Sequence, residues 1–145
     1  MSSRPSRSPG PARAGLDPRH DVRLRVRYAE TDQMGVVYYS NYLVWFEIGR
    51  TEWLRDRGWT YREIEGDGVA LPVIEAHCEY RQPARYDDEI EIHTRARLLS
   101  PTRIRFDYEI RRSHAAVAIG YTVHAAVSRS GRPCRLPDRV LEFLE

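Results

Sequence analysis

Asp32 and Tyr39 stand seven residues apart with Gly35 between them, just ahead of a stretch patterned for a helix. The first N–H groups of a helix lack intrahelical partners and carry the positive end of its dipole, so they can stabilise negative charge developing on a carbonyl oxygen. A loop that folds back, with Gly35 permitting a tight turn and close approach to a ligand, would bring the Asp32 carboxylate and the Tyr39 amide to one carbonyl. A loop aspartate taken by itself more often caps a turn or the helix. Both readings stand at this point.

Other chemistry is narrowed by what the chain lacks. All 23 basic residues are Arg, so Schiff-base, phosphate-loop and other lysine chemistry is excluded. His77, His93, His114 and His124 do not cluster, and His77 and His93 fall on wet strand faces; none reads as catalytic, and no metal or cofactor is called for. Cys78 and Cys134 lie far apart without CxxC or Cys/His spacing, which fits free thiols in a reducing cytoplasm. Glu47, on the stretch patterned for a helix, reads as a polar-face residue paired with Arg50 or Thr51.

The elements that position these residues follow from periodicity. Val22, Leu24, Val26 and Tyr28 alternate with Arg23, Arg25 and Arg27, a strand wet on one side. After the loop from Ala29 to Gly35, residues 41–57 put Tyr42, Trp45, Phe46, Gly49 and Trp53 at helical intervals. Leu43, Val44, Ile48 and Leu54 widen that apolar surface, so the helix reads as largely buried, and Gly58 stops it. A polar linker around Tyr61 to Gly68 leads into four alternating runs. Their apolar members are Ile74, Ala76, Cys78 and Tyr80; Ile90, Ile92, Thr94, Ala96 and Leu98; Ile104, Phe106, Tyr108 and Ile110; and Val117, Ile119, Tyr121, Val123, Ala125 and Val127. Short turns between them make the strands antiparallel. The pattern predicts an α+β domain in which a sheet curls around one long helix. Free sheet edges predict a homodimer with a continued sheet.

With 145 residues, 41% hydrophobic and 30% charged, the chain has the composition of one globular domain. We read residues 1–20, with four prolines, four serines and four arginines, as a disordered tail, and residues 21–145 as the domain. No apolar run approaches the roughly 18 residues of a membrane span. The net charge of +2, with both signs mixed along the chain, gives no footprint for nucleic acid.

The segment from Tyr28 through Thr31-Asp32, Gly35, Val36-Val37, Tyr38-Tyr39 and Asn41-Tyr42, followed by Trp45-Phe46-Glu47 and Arg50-Thr51-Glu52, resembles the hotdog-fold acyl-CoA thioesterases of the 4-hydroxybenzoyl-CoA thioesterase-like family. The later segment from Pro83 to Tyr86-Asp87-Asp88 fits as well. The resemblance covers roughly residues 22–140. It implies a five-stranded antiparallel sheet wrapped around one central helix, assembly into homodimers or homotetramers, and an active site at the dimer interface. Asp32 would be the catalytic nucleophile or base, and the Tyr39 backbone N–H the oxyanion donor. Gly35, Val37 and Tyr38 would line the substrate site. Ser100, Thr102 and Arg103, on a strand turn, would meet the nucleotide end of coenzyme A. The acyl carrier could be coenzyme A or a carrier protein. Two other readings are a non-catalytic acyl-thioester binding protein and a hydroxyacyl-thioester dehydratase. The second needs a histidine, and none lies between Asp32 and Tyr42.

Overall fold

In the computed structural model, which describes residues 19–144, the alternating runs become strands. In chain order these are β1 (Arg19–Arg25), β2 (Val69–Ala70), β3 (Val73–Tyr80), β4 (Glu89–Ser100), β5 (Arg103–Arg112), β6 (Ala115–Ala125) and β7 (Val127–Ser128). The helices are α1 (Asn41–Asp56), α2 (Tyr61–Gly66) and α3 (Asp138–Leu144). The five long strands form one antiparallel sheet in the order β1-β4-β5-β6-β3, and β2 pairs with β7. This is the expected α+β arrangement, a five-stranded sheet with one long central helix. The tail read over residues 1–20 lies outside the described residues except for Arg19 and His20, which open β1.

Aromatic packing joins the helix to the sheet. The buried residues of α1 are Tyr42, Trp45, Phe46, Gly49, Trp53 and Leu54, a spacing that puts them on one side. Phe46 stacks on Tyr108 of β5 with ring centroids 4.2 Å apart, and Trp53 meets Phe106 edge-on at 5.7 Å. Burying each such ring is worth about 2–3 kcal/mol of apolar transfer. The outer face of the sheet carries sign-matched pairs such as Arg23 with Glu91 at 3.1 Å and Arg105 with Asp107 at 2.9 Å, each contributing at most about 1 kcal/mol. The fold therefore rests on the aromatic layer, and many of the arginines serve a charge-balanced surface.

The structure corrects the sequence reading in four places. First, Tyr28 is not part of β1; the strand ends at Arg25, and Tyr28 starts a 3-10 turn (Tyr28–Glu30) with its ring exposed. Second, β6 is turned over. Its register opposite the buried Ile104, Phe106, Tyr108 and Ile110 of β5 directs Ala118, Gly120, Thr122 and His124 toward α1, and Ile119, Tyr121, Val123 and Ala125 toward the charged outer face. The reason is steric. A Cβ at Gly120 would lie 2.2 Å from the His77 carbonyl oxygen and 2.8 Å from the Phe46 ring, so the inner row is small here to admit that ring.

Third, Leu43 and Val44 of α1 are exposed, as are Ile74 and Tyr80 on the edge strand β3. The helix is not buried all round within one chain. Fourth, the linker around Tyr61 holds α2, whose Thr60 and Glu63 make a reciprocal capping box, and α3 closes the far end by packing Phe143 against Trp53 and Trp59.

Candidate active site

The loop between β1 and α1 is folded back on itself by its own backbone. The Asp32 N–H donates to the Val36 carbonyl at 2.9 Å, and the Gly35 N–H returns to the Asp32 carbonyl at 2.9 Å. Gly35 has φ +81° with open space where a Cβ would be, so glycine is required there by the left-handed turn and not by crowding. Bridges from Thr31 to Val37 and from Val36 to Arg85 tie the loop down, and the Val37 N–H donates to the Ala84 carbonyl at 2.8 Å.

One oxygen of the Asp32 carboxylate caps a turn, and the other is unengaged. Oδ1 accepts the N–H of Met34 at 2.8 Å and of Val36 at 3.4 Å, an Asx-type turn. Oδ2 has no hydrogen-bond partner among the described residues. At the other end of the loop the Tyr38 N–H is spent on the Glu30 carbonyl at 2.8 Å. The next two N–H groups, of Tyr39 and Ser40, have no acceptor among the described residues, and the Ser40 side chain makes no capping bond to α1. The helix thus starts with unpaired donors beside a half-free carboxylate.

These groups border one cleft of about 390 Å³, lined by Asp32, Val36, Val37, Tyr38, Tyr39, Tyr42, Tyr80, Arg81, Gln82 and Pro83. Tyr38 and Tyr39 lie with ring centroids 4.7 Å apart. The Tyr38 hydroxyl is raised above the usual tyrosine range, first by the Tyr39 hydroxyl beside it, with the Asp32 charge adding to the effect. The Tyr80 hydroxyl donates to the Tyr39 carbonyl at 3.1 Å, so β3 props the helix start from across the cleft. The site residues read from the sequence, Asp32, Val37, Tyr38 and Tyr39, come together here, with Gly35 at the turn between them. Tyr42, for which the sequence leaves packing and substrate contact both open, lines the cleft as well. Val36, Tyr80, Arg81, Gln82 and Pro83 line it without having been singled out as site residues, the end of β3 carrying no loop motif.

Ser100, Thr102 and Arg103 are elsewhere in the chain. They form the β4–β5 turn, where Thr102 N–H meets Ser100 Oγ at 3.2 Å and the Thr102 carbonyl accepts from Ala126 at 2.9 Å. The Asp32 cleft is lined instead by the β1–α1 loop, the start of α1 and the end of β3 with the residues after it, and none of Ser100, Thr102 and Arg103 lines it. Glu47 is exposed on α1, and Arg50 turns from it to the Tyr108 hydroxyl at 3.4 Å. From Tyr108 a buried chain runs to Thr122 Oγ1 at 2.6 Å, on to His124 Nε2 at 2.9 Å, and from His124 Nδ1 to the Leu71 carbonyl at 2.9 Å. Donor order fixes the His124 tautomer: Nδ1 donates to Leu71 and Nε2 accepts from Thr122. Burial pushes His124 down to about 4 and the Tyr108 hydroxyl up to about 12. Neither residue lines the cleft. The described residues hold no cluster of three or more His, Cys, Asp or Glu side chains suited to a metal, and no helix among them is long and apolar enough to cross a membrane.

Known proteins share this architecture and sequence. Residues 26–144 match the thioesterase-like superfamily. A 1,4-dihydroxy-2-naphthoyl-CoA hydrolase of Synechococcus sp. (strain CC9605) is 31% identical over 86% of this chain and 89% of its own length. The acyl-CoA thioester hydrolase YbgC of Escherichia coli O6:H1 is 37% identical over 60% of this chain and 65% of its own. The crystal structure of a hypothetical protein from Aquifex aeolicus superposes with a TM-score of 0.82 at 36% identity, covering 87% of this chain and 99% of that one. With most of its length matched in sequence and its fold held in common with solved relatives, the chain belongs to the thioesterase-like superfamily.

Proposed function

We propose that this chain hydrolyses acyl-CoA thioesters in the cleft bordered by Asp32 and Tyr39. The observation that carries the proposal is that one cleft is lined both by Asp32, with an unengaged Oδ2, and by Tyr39, with an unpaired N–H. In the reaction, Asp32 attacks the acyl carbon or takes a proton from the water that does. The carbonyl oxygen becomes an oxyanion and is held by the Tyr39 N–H at the positive end of α1. Collapse of the tetrahedral intermediate expels the thiolate, a good leaving group, so the step needs no metal. If Asp32 has attacked directly, water then hydrolyses the resulting anhydride. Gly35 sets the turn, and Val37 and Tyr38 contact the acyl portion. Four tyrosines on the cleft favour an aromatic acyl group, in keeping with the naphthoyl thioester in the name of the cyanobacterial relative.

A second copy completes the site in this reading. The β3 edge and the neighbouring Leu43 and Val44 leave an apolar strip uncovered, which suits pairing of two β3 strands into a continued sheet. An antiparallel β3 pair reverses strand direction, so the partner's Ser100, Thr102 and Arg103 turn comes to the same end as this chain's cleft. Only from the partner can that turn meet the nucleotide end of coenzyme A. Cys78 and Cys134 are free thiols, in keeping with a reducing cytoplasm.

The test is thiol release from a panel of aromatic, short-chain and long-chain acyl-CoAs and one acyl-carrier-protein thioester. The expected result is turnover by the wild type and at least a tenfold loss in Asp32→Ala, about 1.4 kcal/mol of transition-state stabilisation. Tight acyl-CoA binding without thiol release would instead establish a binding protein. The dehydratase reading is disfavoured because no histidine lines the cleft.

A further inference from the structure

Glu30 is a charged side chain buried where sheet, loop and helix meet, 4% exposed, and the hydrolysis described above does not use it. Its carboxylate is spoken for on both oxygens. Oε1 accepts the Arg27 N–H at 2.8 Å. Oε2 accepts the Trp45 indole N–H at 3.0 Å and the Arg27 guanidinium at 3.5 Å. Its backbone carbonyl accepts two more donors, the Tyr38 N–H at 2.8 Å and Asn41 Nδ2 at 2.9 Å. These donors flank Tyr39 on either side. Two residues downstream of Glu30 lies Asp32, joined to it through Thr31, which bridges to Val37.

One residue thus holds both halves of the site. Its main chain pins Tyr38 and Asn41, which leaves the Tyr39 N–H as the first unpaired donor, and its side chain pins the fully buried Trp45 of α1. We propose that Glu30 is a positioning residue that sets the separation between the Asp32 carboxylate and the Tyr39 amide. The inference rests on the hydrolysis proposed above. Both carboxylate oxygens face donors, which explains the residue type: a glutamine would turn an NH2 group toward either the Arg27 N–H or the Trp45 indole N–H and leave a donor unpaired in a buried place. A misplacement well under 1 Å at the reacting atoms is enough to be read in turnover.

The experiment compares kcat, KM and thermal melting of the full chain with its Glu30→Gln and Asn41→Ala variants on the best acyl-CoA. Glu30→Gln is expected to lose at least tenfold in kcat per folded molecule with KM within threefold of the wild type. Asn41→Ala removes one tie to the Glu30 main-chain carbonyl from the partly exposed side, is expected to fold, and should lose three- to tenfold in kcat with KM again held; it tests the main-chain half of the proposal whether or not Glu30→Gln folds. Lower melting temperatures with kcat unchanged in the folded variants would reduce Glu30 to a structural role and overturn the proposal. An active wild type matched by its variants sinks the positioning role alone, whereas a wild type inactive on every thioester sinks the hydrolysis and the positioning role together.

Discussion

At the scale of residues, the task proposed for Tyr39 belongs to its backbone. Tyr39→Ala keeps the amide and is expected to cost less than tenfold in kcat. Tyr39→Pro removes a donor that has no internal partner and should cost about 100-fold, the usual loss for an oxyanion donor, with circular dichroism confirming the fold. His124 yields a prediction about pH. Its folded value of about 4 lies below the ordinary 6.5 because burial disfavours the charged ring. Between those values the unfolded chain binds a proton that the folded chain does not, so stability rises with pH from about 4 to 6.5 and is lost on acidification through that window. The difference is worth roughly 3 kcal/mol. Urea denaturation of the wild type and of His124→Gln across this range should show the acid limb flattened in the variant; identical profiles would contradict the assignment. Asp32, Gly35 and Tyr39 stood out in the sequence because the motif around them resembles that of a known family; residue type and spacing alone left Asp32 open to a turn-capping role. Glu30 was not, since nothing about an acid two positions before Asp32 shows that its carboxylate turns inward to a tryptophan fifteen residues on.

At the scale of elements, α1, β4 and β5 were legible because their apolar residues recur at the period of the element and, Leu43 and Val44 of α1 apart, face the aromatic layer. The face of β6 was not. Its β-branched residues alternate correctly for a strand, but on the side that packs on α1 the Phe46 ring leaves no room for a Cβ at Gly120, and Thr122 and His124 are held there by hydrogen bonds. Hydropathy alone therefore points the wrong way. Gly120→Ala tests this directly. The added methyl meets a backbone carbonyl that cannot yield, so a loss of at least about 2 kcal/mol in unfolding free energy is expected, whereas a strand facing as hydropathy suggests would accept alanine at little cost. The short α2 and α3 escaped the sequence reading because elements of six and seven residues show too few turns for a period to register.

At the scale of the molecule, the uncovered strip on β3 and α1 points to a second copy. Light scattering should give at least twice the 16.9 kDa chain mass. Ile74→Arg, placing a charge on the exposed edge, should shift the mass to that of one chain and lower acyl-CoA turnover with it. A wild type that is monomeric and active would remove the partner from the site. The central claim, that the Asp32 carboxylate and the Tyr39 amide serve one acyl carbon, is tested most directly by a crystal structure of Asp32→Asn with a slowly hydrolysed aromatic acyl-CoA. The carbonyl oxygen is expected about 3 Å from the Tyr39 N, with the acyl carbon against the residue 32 side chain. A thioester bound with its carbonyl away from both groups would contradict it.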